Sequence, residues 1–269
     1  MNINKKSYSQ SDTWDKFYKQ NNSIKDCLTN ESWKKLFNER IFSDSRFGDI
    51  ENKLKEIVEK NVGDDKNGTK MYPFPTKIFN AFNITSLNEL KVVIIGQDPY
   101  FNCEYYDKQF VPQATGLSFS VPTGFNIPSS LRNIFANQLK FERIHHIPNY
   151  GDLTFWACQG CLMLNTSLTV LDGQKNCHGA MWKWVTDRII KYISDECDHV
   201  VFVMWGLPAY GKTNLIDIDK HDVIISSHPS GLSADKGMRQ YPPFNTQDHF
   251  GIVNEKLREH EKDEILWQL

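Results

Sequence analysis

Four short apolar runs, at residues 92–95, 161–164, 200–205 and 223–225, constrain this chain more than any other feature. They are rich in Val, Ile and Leu and lack the polar alternation of a half-exposed strand. Such runs fit strands buried on both faces, as in a parallel sheet covered by helices. A parallel sheet needs a crossover between successive strands, and segments 130–139, 181–193 and 207–220 can each supply a helix for one. The expected fold is therefore α/β: a single domain with a central four-stranded parallel sheet and helices on both faces.

Each run also ends in residues that are costly to bury. The first runs into Gly96-Gln97-Asp98-Pro99-Tyr100 and the second into Asn165-Thr166-Ser167. The third stops at Gly206, and the fourth at Ser226-Ser227-His228-Pro229-Ser230. Ligands of open α/β sheets bind in the crevice beyond the carboxyl ends of the strands. Asp98, Asn165 and His228 should then converge on one cleft, which predicts an active site at that end of the sheet.

The rest of the chain narrows the reading. Residues 1–27 are polar with scattered aromatics (Trp14, Phe17, Tyr18), which reads as a flexible tail or as a partner-binding segment. Residues 28–269 form the expected domain. A helix start at Asn30-Glu31-Ser32-Trp33 leads helical spacing toward Phe42, and a second helix is expected over about residues 50–62. Residues 63–68 read as a solvent loop, and Tyr72-Pro73-Phe74-Pro75 must be extended. No apolar stretch approaches the roughly 20 residues of a membrane span, and the N-terminus lacks a signal peptide's apolar core, so an intracellular protein is expected. The net charge of −2 excludes a protein that coats DNA by bulk positive charge but leaves local phosphate contacts open. Six cysteines are irregularly spaced, and the Cys158/Cys161 pair has no second pair at zinc-ribbon spacing. No metal and no cofactor are expected.

Four ordered segments resemble the uracil-DNA glycosylase family. They are Lys91-Val-Val-Ile-Ile-Gly-Gln-Asp-Pro-Tyr100, Gly116-Leu-Ser-Phe-Ser-Val121, Leu162-Met-Leu-Asn-Thr-Ser-Leu-Thr-Val170 and His228-Pro-Ser-Gly-Leu-Ser233. Glu31-Ser-Trp-Lys-Lys35 and Tyr72-Pro-Phe-Pro75 are family-like as well. The resemblance implies base-excision repair: uracil is flipped out of DNA, its N-glycosidic bond is hydrolysed, and an abasic site remains. It implies Asp98 beside the sugar, where a carboxylate stabilises developing positive charge and orients water, and His228 as a neutral donor to uracil O2. It also implies Asn165 reading N3–H and O4, Tyr100 excluding a 5-methyl group, Phe119 stacking on the base and the Gln97 backbone near O2. Ser130 and Ser230 match hydroxyls that grip flanking phosphates, Lys236 adds charge, and Leu232 matches an apolar wedge. The resemblance implies uracil-containing DNA, single- or double-stranded, as the partner of a monomer, and a replication or repair protein as the partner that residues 1–27 would bind.

Four departures bear on DNA handling. Phe101 stands where the family usually has His, Leu207 where a phosphate-gripping Ser is usual, and Gly231 where Pro is usual; segment 102–114 is longer than normal. They keep open a non-catalytic DNA-binding or replication-accessory protein on the same fold. A further competing reading is a nucleotide-binding loop, because Gly206-Leu-Pro-Ala-Tyr-Gly-Lys-Thr213 fits G-x-x-x-x-G-K-[ST] after an expected strand. Only residues 214–221 then remain for the helix that such a loop requires.

Overall fold

A computed structural model describes residues 13–61, 69–106 and 109–269. In chain order the helices are α1 (Trp14–Lys19), α2 (Glu31–Leu36), α3 (Ser45–Asn61), α4 (Asn80–Ile84), α5 (Ser129–Lys140), α6 (Thr154–Ala157), α7 (Gly179–Glu196), α8 (Leu207–Tyr210) and α9 (His249–Glu259). The strands are β1 (Met71–Tyr72), β2 (Val92–Gly96), β3 (Cys103–Tyr106), β4 (Gln109–Pro112), β5 (Cys161–Asn165), β6 (Val170–Leu171), β7 (Val201–Trp205) and β8 (Asp222–Ser226).

The four apolar runs form one parallel sheet in the order β5-β2-β7-β8. Every residue of β2, β5 and β7 is buried. Side chains of a strand alternate between faces, so complete burial means that both faces are covered. The edge strand β8 is only partly buried. On one flank α7 contributes Trp182, Val185, Ile189, Ile190 and Ile193, a stripe at i, i+3, i+7, i+8 and i+11. Register aligns Gly96 with Asn165 and Trp205 with Ser226, so these strands finish level with one another.

The connections depart from expectation in three places. Between β7 and β8, Pro208 opens the four-residue α8, and only a 3-10 turn over Thr213–Leu215 follows. The crossover helix expected over 207–220 stops after one turn: Pro208 sits in the first turn, where it is compatible with a helix, and Gly211 follows as the C-cap. Segment 102–114 is largely the antiparallel hairpin β3–β4, with Cys103 opposite Pro112 and Tyr106 opposite Gln109. α3 begins at Ser45, before the expected start near residue 50, and the helix begun at Glu31 passes into a π-helical stretch over Phe37–Phe42.

The largest correction concerns the N-terminus. From residue 13 onward the expected tail is folded onto the domain. Trp14 is fully buried and donates from Nε1 to the Pro73 carbonyl at 2.9 Å. The Asp15 carboxylate accepts from the Thr69 N–H at 2.6 Å, and Glu51 accepts from the Ile24 N–H at 3.0 Å. Trp14, Phe17 and Tyr18 lie at i, i+3 and i+4, the spacing that gives one turn of helix an apolar face. Averaged polarity over residues 1–27 conceals that face. Residues 1–12 of the expected tail and the expected loop at 63–68 fall outside the described residues.

Candidate active site

The carboxyl ends of the strands open into a cleft of about 710 Å³. Its lining includes every residue singled out from the sequence: Gln97, Asp98, Tyr100, Phe119 and Asn165; His228; Ser130, Ser230, Leu232 and Lys236. Phe101 and Leu207, two of the departures, line it as well.

The floor is built by close approach of β2 and β5. A Cβ on Gly96 would lie 2.3 Å from Asn165 Oδ1 and 2.8 Å from Ser118 Cβ, so only glycine lets the buried Asn165 amide sit over that strand end. The Gln97 carbonyl accepts from the Ser167 N–H at 2.9 Å and the Thr166 hydroxyl at 2.8 Å, joining the turns that follow the two strands. Phe119 adopts φ +63°, a conformation non-glycine residues rarely use. The preceding Ser118 holds it there, donating from its N–H to the Met163 carbonyl at 2.9 Å and from Oγ to the Ile94 carbonyl at 3.3 Å. The Phe119 ring meets Trp205 edge-on at 5.6 Å and lies 5.9 Å from the His228 ring. The Tyr100 hydroxyl donates to the Phe119 carbonyl at 3.3 Å, and burial pushes its pKa up.

Two titratable groups of opposite character line the cleft. Asp98 Oδ2 accepts from the Asn176 N–H at 2.6 Å. Burial raises its pKa above the ordinary carboxylate value, while that N–H and the nearby Lys175 oppose the rise. His228 Nδ1 accepts from the Ser230 N–H at 3.0 Å, which places the neutral ring's proton on Nε2. Burial, helped by the charge of Lys175, pushes the imidazole pKa down to about 4. The ring is therefore a neutral donor at physiological pH. Gly206, at φ +86°, packs under it, and a Cβ there would lie 2.9 Å from His228 Cβ. Asn133 on α5 donates from Nδ2 to the Pro229 carbonyl at 2.7 Å and fixes the His228 loop to that helix.

The rim carries the remaining residues. Ser130 sits in the first turn of α5, and Ser230, Leu232 and Lys236 lie on the loop after β8. Leu232 is 84% exposed, the most exposed large apolar side chain among the described residues. Sequence reasoning missed Lys175 and Asn176, on the loop between β6 and α7. Asn176 acts through its backbone N–H, which no side-chain pattern reveals; its φ of +54° is the one trace, since Asn tolerates that region.

The nucleotide-loop reading fails on geometry. Lys212 is buried and pairs with Asp187 of α7, so its ammonium does not face a ligand. Cys161 is enclosed within β5 while Cys158 is exposed, so the C-x-x-C pair does not face one site. Among the described residues, one group, His199, Asp222 and His260, has metal-ligating spacing. It lies at the amino ends of β7 and β8, opposite the cleft. Its two imidazoles stack within 9° of parallel at 3.5 Å, so their in-plane lone pairs do not converge, and Lys256 Nζ lies 3.8 Å from Asp222 Oδ1.

Residues 82–258 match the model of the uracil DNA glycosylase superfamily. The chain belongs to that superfamily. Relatives of this superfamily member include the uracil-DNA glycosylase of Campylobacter curvus, 42% identical over 92% of this chain and 96% of that protein. The uracil-DNA glycosylase of Azotobacter vinelandii is 45% identical over 75% of this chain and 81% of its own length. The crystal structure of mimivirus uracil-DNA glycosylase superposes with a TM-score of 0.89 at 33% identity, covering 99% of this chain and 97% of that one. No helix among the described residues is long and apolar enough to cross a membrane.

Proposed function

We infer that this protein is a uracil-DNA glycosylase, which hydrolyses the N-glycosidic bond of uracil in DNA, releases the free base and leaves an abasic site. The observation that carries the reading is the pairing, in one cleft, of a half-buried carboxylate with a neutral imidazole whose proton is directed to Nε2. As the C1′–N1 bond breaks, its electron pair leaves with the base, and positive charge grows on the sugar. Asp98 stabilises that cation and orients the water whose oxygen bonds to C1′, and the proton this water loses passes to the Asp98 carboxylate and ends on the released uracil anion. His228 donates from Nε2 to uracil O2, where negative charge accumulates, and burial strengthens that hydrogen bond. The preset tautomer means that no proton has to rearrange first.

Asn165 accepts from uracil N3–H and donates to O4, a polarity that cytosine reverses. Tyr100 occupies the space that a 5-methyl group would need, Phe119 stacks on the flipped base, and the Gln97 backbone lies near O2. Ser130, Ser230 and Lys236 hold phosphates, and Leu232 fills the gap that the flipped nucleotide leaves in a duplex.

The test is to incubate the protein with a uracil-containing single-stranded oligonucleotide in EDTA and assay for abasic sites. Product is expected, and its absence would sink the glycosylase reading. Asp98→Asn should cut turnover by about 10³-fold while oligonucleotide affinity stays close to the parent's. Parental turnover in that variant would remove Asp98 from the mechanism.

A further inference from the structure

Among the described residues two lysines line the cleft, Lys236 and Lys175, and the sequence reading gave no role to the second. Their positions are complementary. Lys236 follows β8, at one edge of the sheet, while Lys175 lies on the loop that leaves the β5 side for α7, and β5 is the opposite edge. The two residues thus leave the sheet from opposite edges. Neither forms an ion pair or side-chain hydrogen bond with a described residue. Many lysines elsewhere do pair, as Lys34 does with Glu31 and Lys212 with Asp187.

The loop carrying Lys175 is held at several points. The Asp172 N–H donates to the Lys70 carbonyl at 2.9 Å, the Gly173 N–H to the Phe101 carbonyl at 2.8 Å and the Asn176 N–H to Asp98 at 2.6 Å. The Tyr72 hydroxyl donates to Asp172 at 2.9 Å. A cation on so fixed a backbone loses little entropy when it binds. Two other lining positions, Phe101 and Leu207, are apolar where the family resemblance implies a polar group.

We propose that Lys175 contacts a backbone phosphodiester next to the flipped nucleotide, reaching the cleft from the β5 edge of the sheet while Lys236 reaches it from the β8 edge. This rests on the glycosylase reading. Asp98 acts at the sugar, and the residue that pins Asp98 is the neighbour of Lys175, so the ammonium lies on the sugar's side of the cleft. The phosphates bonded to that sugar must cross the rim when the base enters. The base itself reaches the buried floor of Asn165 and Phe119, away from an exposed lysine. Lys175 also places positive charge close enough to Asp98 and His228 to influence both, which puts it near the scissile nucleotide.

The test measures affinity for a single-stranded oligonucleotide carrying one uracil, in the Asp98→Asn background, across a range of salt concentrations. Adding Lys175→Ala should weaken binding about 5-fold and reduce the slope of log Kd against log salt by about 0.7, the share of one single-strand phosphate contact. Lys175→Arg should keep the parental slope. An unchanged slope in Lys175→Ala overturns the proposal. So does a lowered kcat with unchanged Kd in the Asp98 enzyme, which would place the charge on the departing base. Uracil release by the parent is assayed in parallel. Its failure would remove the glycosylase reading, while the salt slope still decides whether Lys175 meets a phosphodiester.

Discussion

The two groups at the heart of the cleft both work without their titratable proton, and that fixes the direction of the pH dependence. The His228 pKa lies well below the ordinary imidazole value of about 6.5, so the ring stays neutral until the pH falls through about 4. Asp98 must be charged, and burial raises its pKa, so its charge is lost at a higher pH than an ordinary aspartate's. The rate of uracil release should therefore fall on the acid side and show no gain as pH drops through about 6.5. His228→Asn should lower single-turnover rates by about 10²-fold and still show an acid limb, because Asp98 must remain charged. A parental rate that climbs toward acid pH would refute the neutral-donor role. Tyr100→Ala should admit thymine, measured as thymine release from thymine-containing DNA that the parent does not cleave; strict uracil selectivity would count against the steric account. Asp98, Asn165 and His228 were legible from sequence because polar residues at the ends of buried strands are costly unless a site uses them. Asn176 and Lys175 were not, since one acts through its backbone and the other sits in a loop without periodicity.

At the scale of elements, the strands were the most legible part, because complete burial imposes an uninterrupted apolar composition. Their partners were less so. The segment 207–220 was expected to supply a crossover helix, yet Gly211 caps it after a single turn, and the long 102–114 segment gave no sign of pairing with itself as a hairpin. The glycines show why residue type alone does not reveal an element's role. Gly96 is required by contact, whereas a Cβ on Gly231 would meet nothing within 4 Å. Gly231 thus adds freedom to the Leu232 loop without relieving a clash. Gly231→Ala should restrict the unbound loop by about 0.4–1 kcal/mol, which corresponds to roughly 2- to 5-fold tighter engagement if the bound loop keeps its present backbone. The check is KM on a duplex with a central uracil. A decrease is expected there, with little change on single-stranded DNA, where no duplex gap has to be filled. Equal effects on both substrates would separate Gly231 from the wedge.

At the scale of the whole molecule, the sheet needs cover on both faces, and the N-terminal segment belongs to that continuous core. Trp14 joins the main apolar cluster together with Phe17, Ile24 and Leu28, and α1 packs on α3. Polarity averaged over residues 1–27 hid this, because a six-residue helix needs only one turn's worth of apolar residues to dock. A flexible tail and an integrated segment differ in what deleting its largest side chain does. In a tail, Trp14→Ala would leave stability unchanged. In this structure it empties a fully buried site and strands the Pro73 carbonyl that accepts from the indole. Large-to-small changes at such sites cost about 3–5 kcal/mol, which for a chain of this size lowers Tm by on the order of 10 °C. Trp14 does not line the cleft, so uracil release at about 25 °C should stay within roughly 3-fold of the parent while the variant remains folded. Thermal unfolding followed by circular dichroism, paired with the rate assay, separates the two readings, and a Tm within about 2 °C of the parent's would return residues 13–27 to the status of a tail.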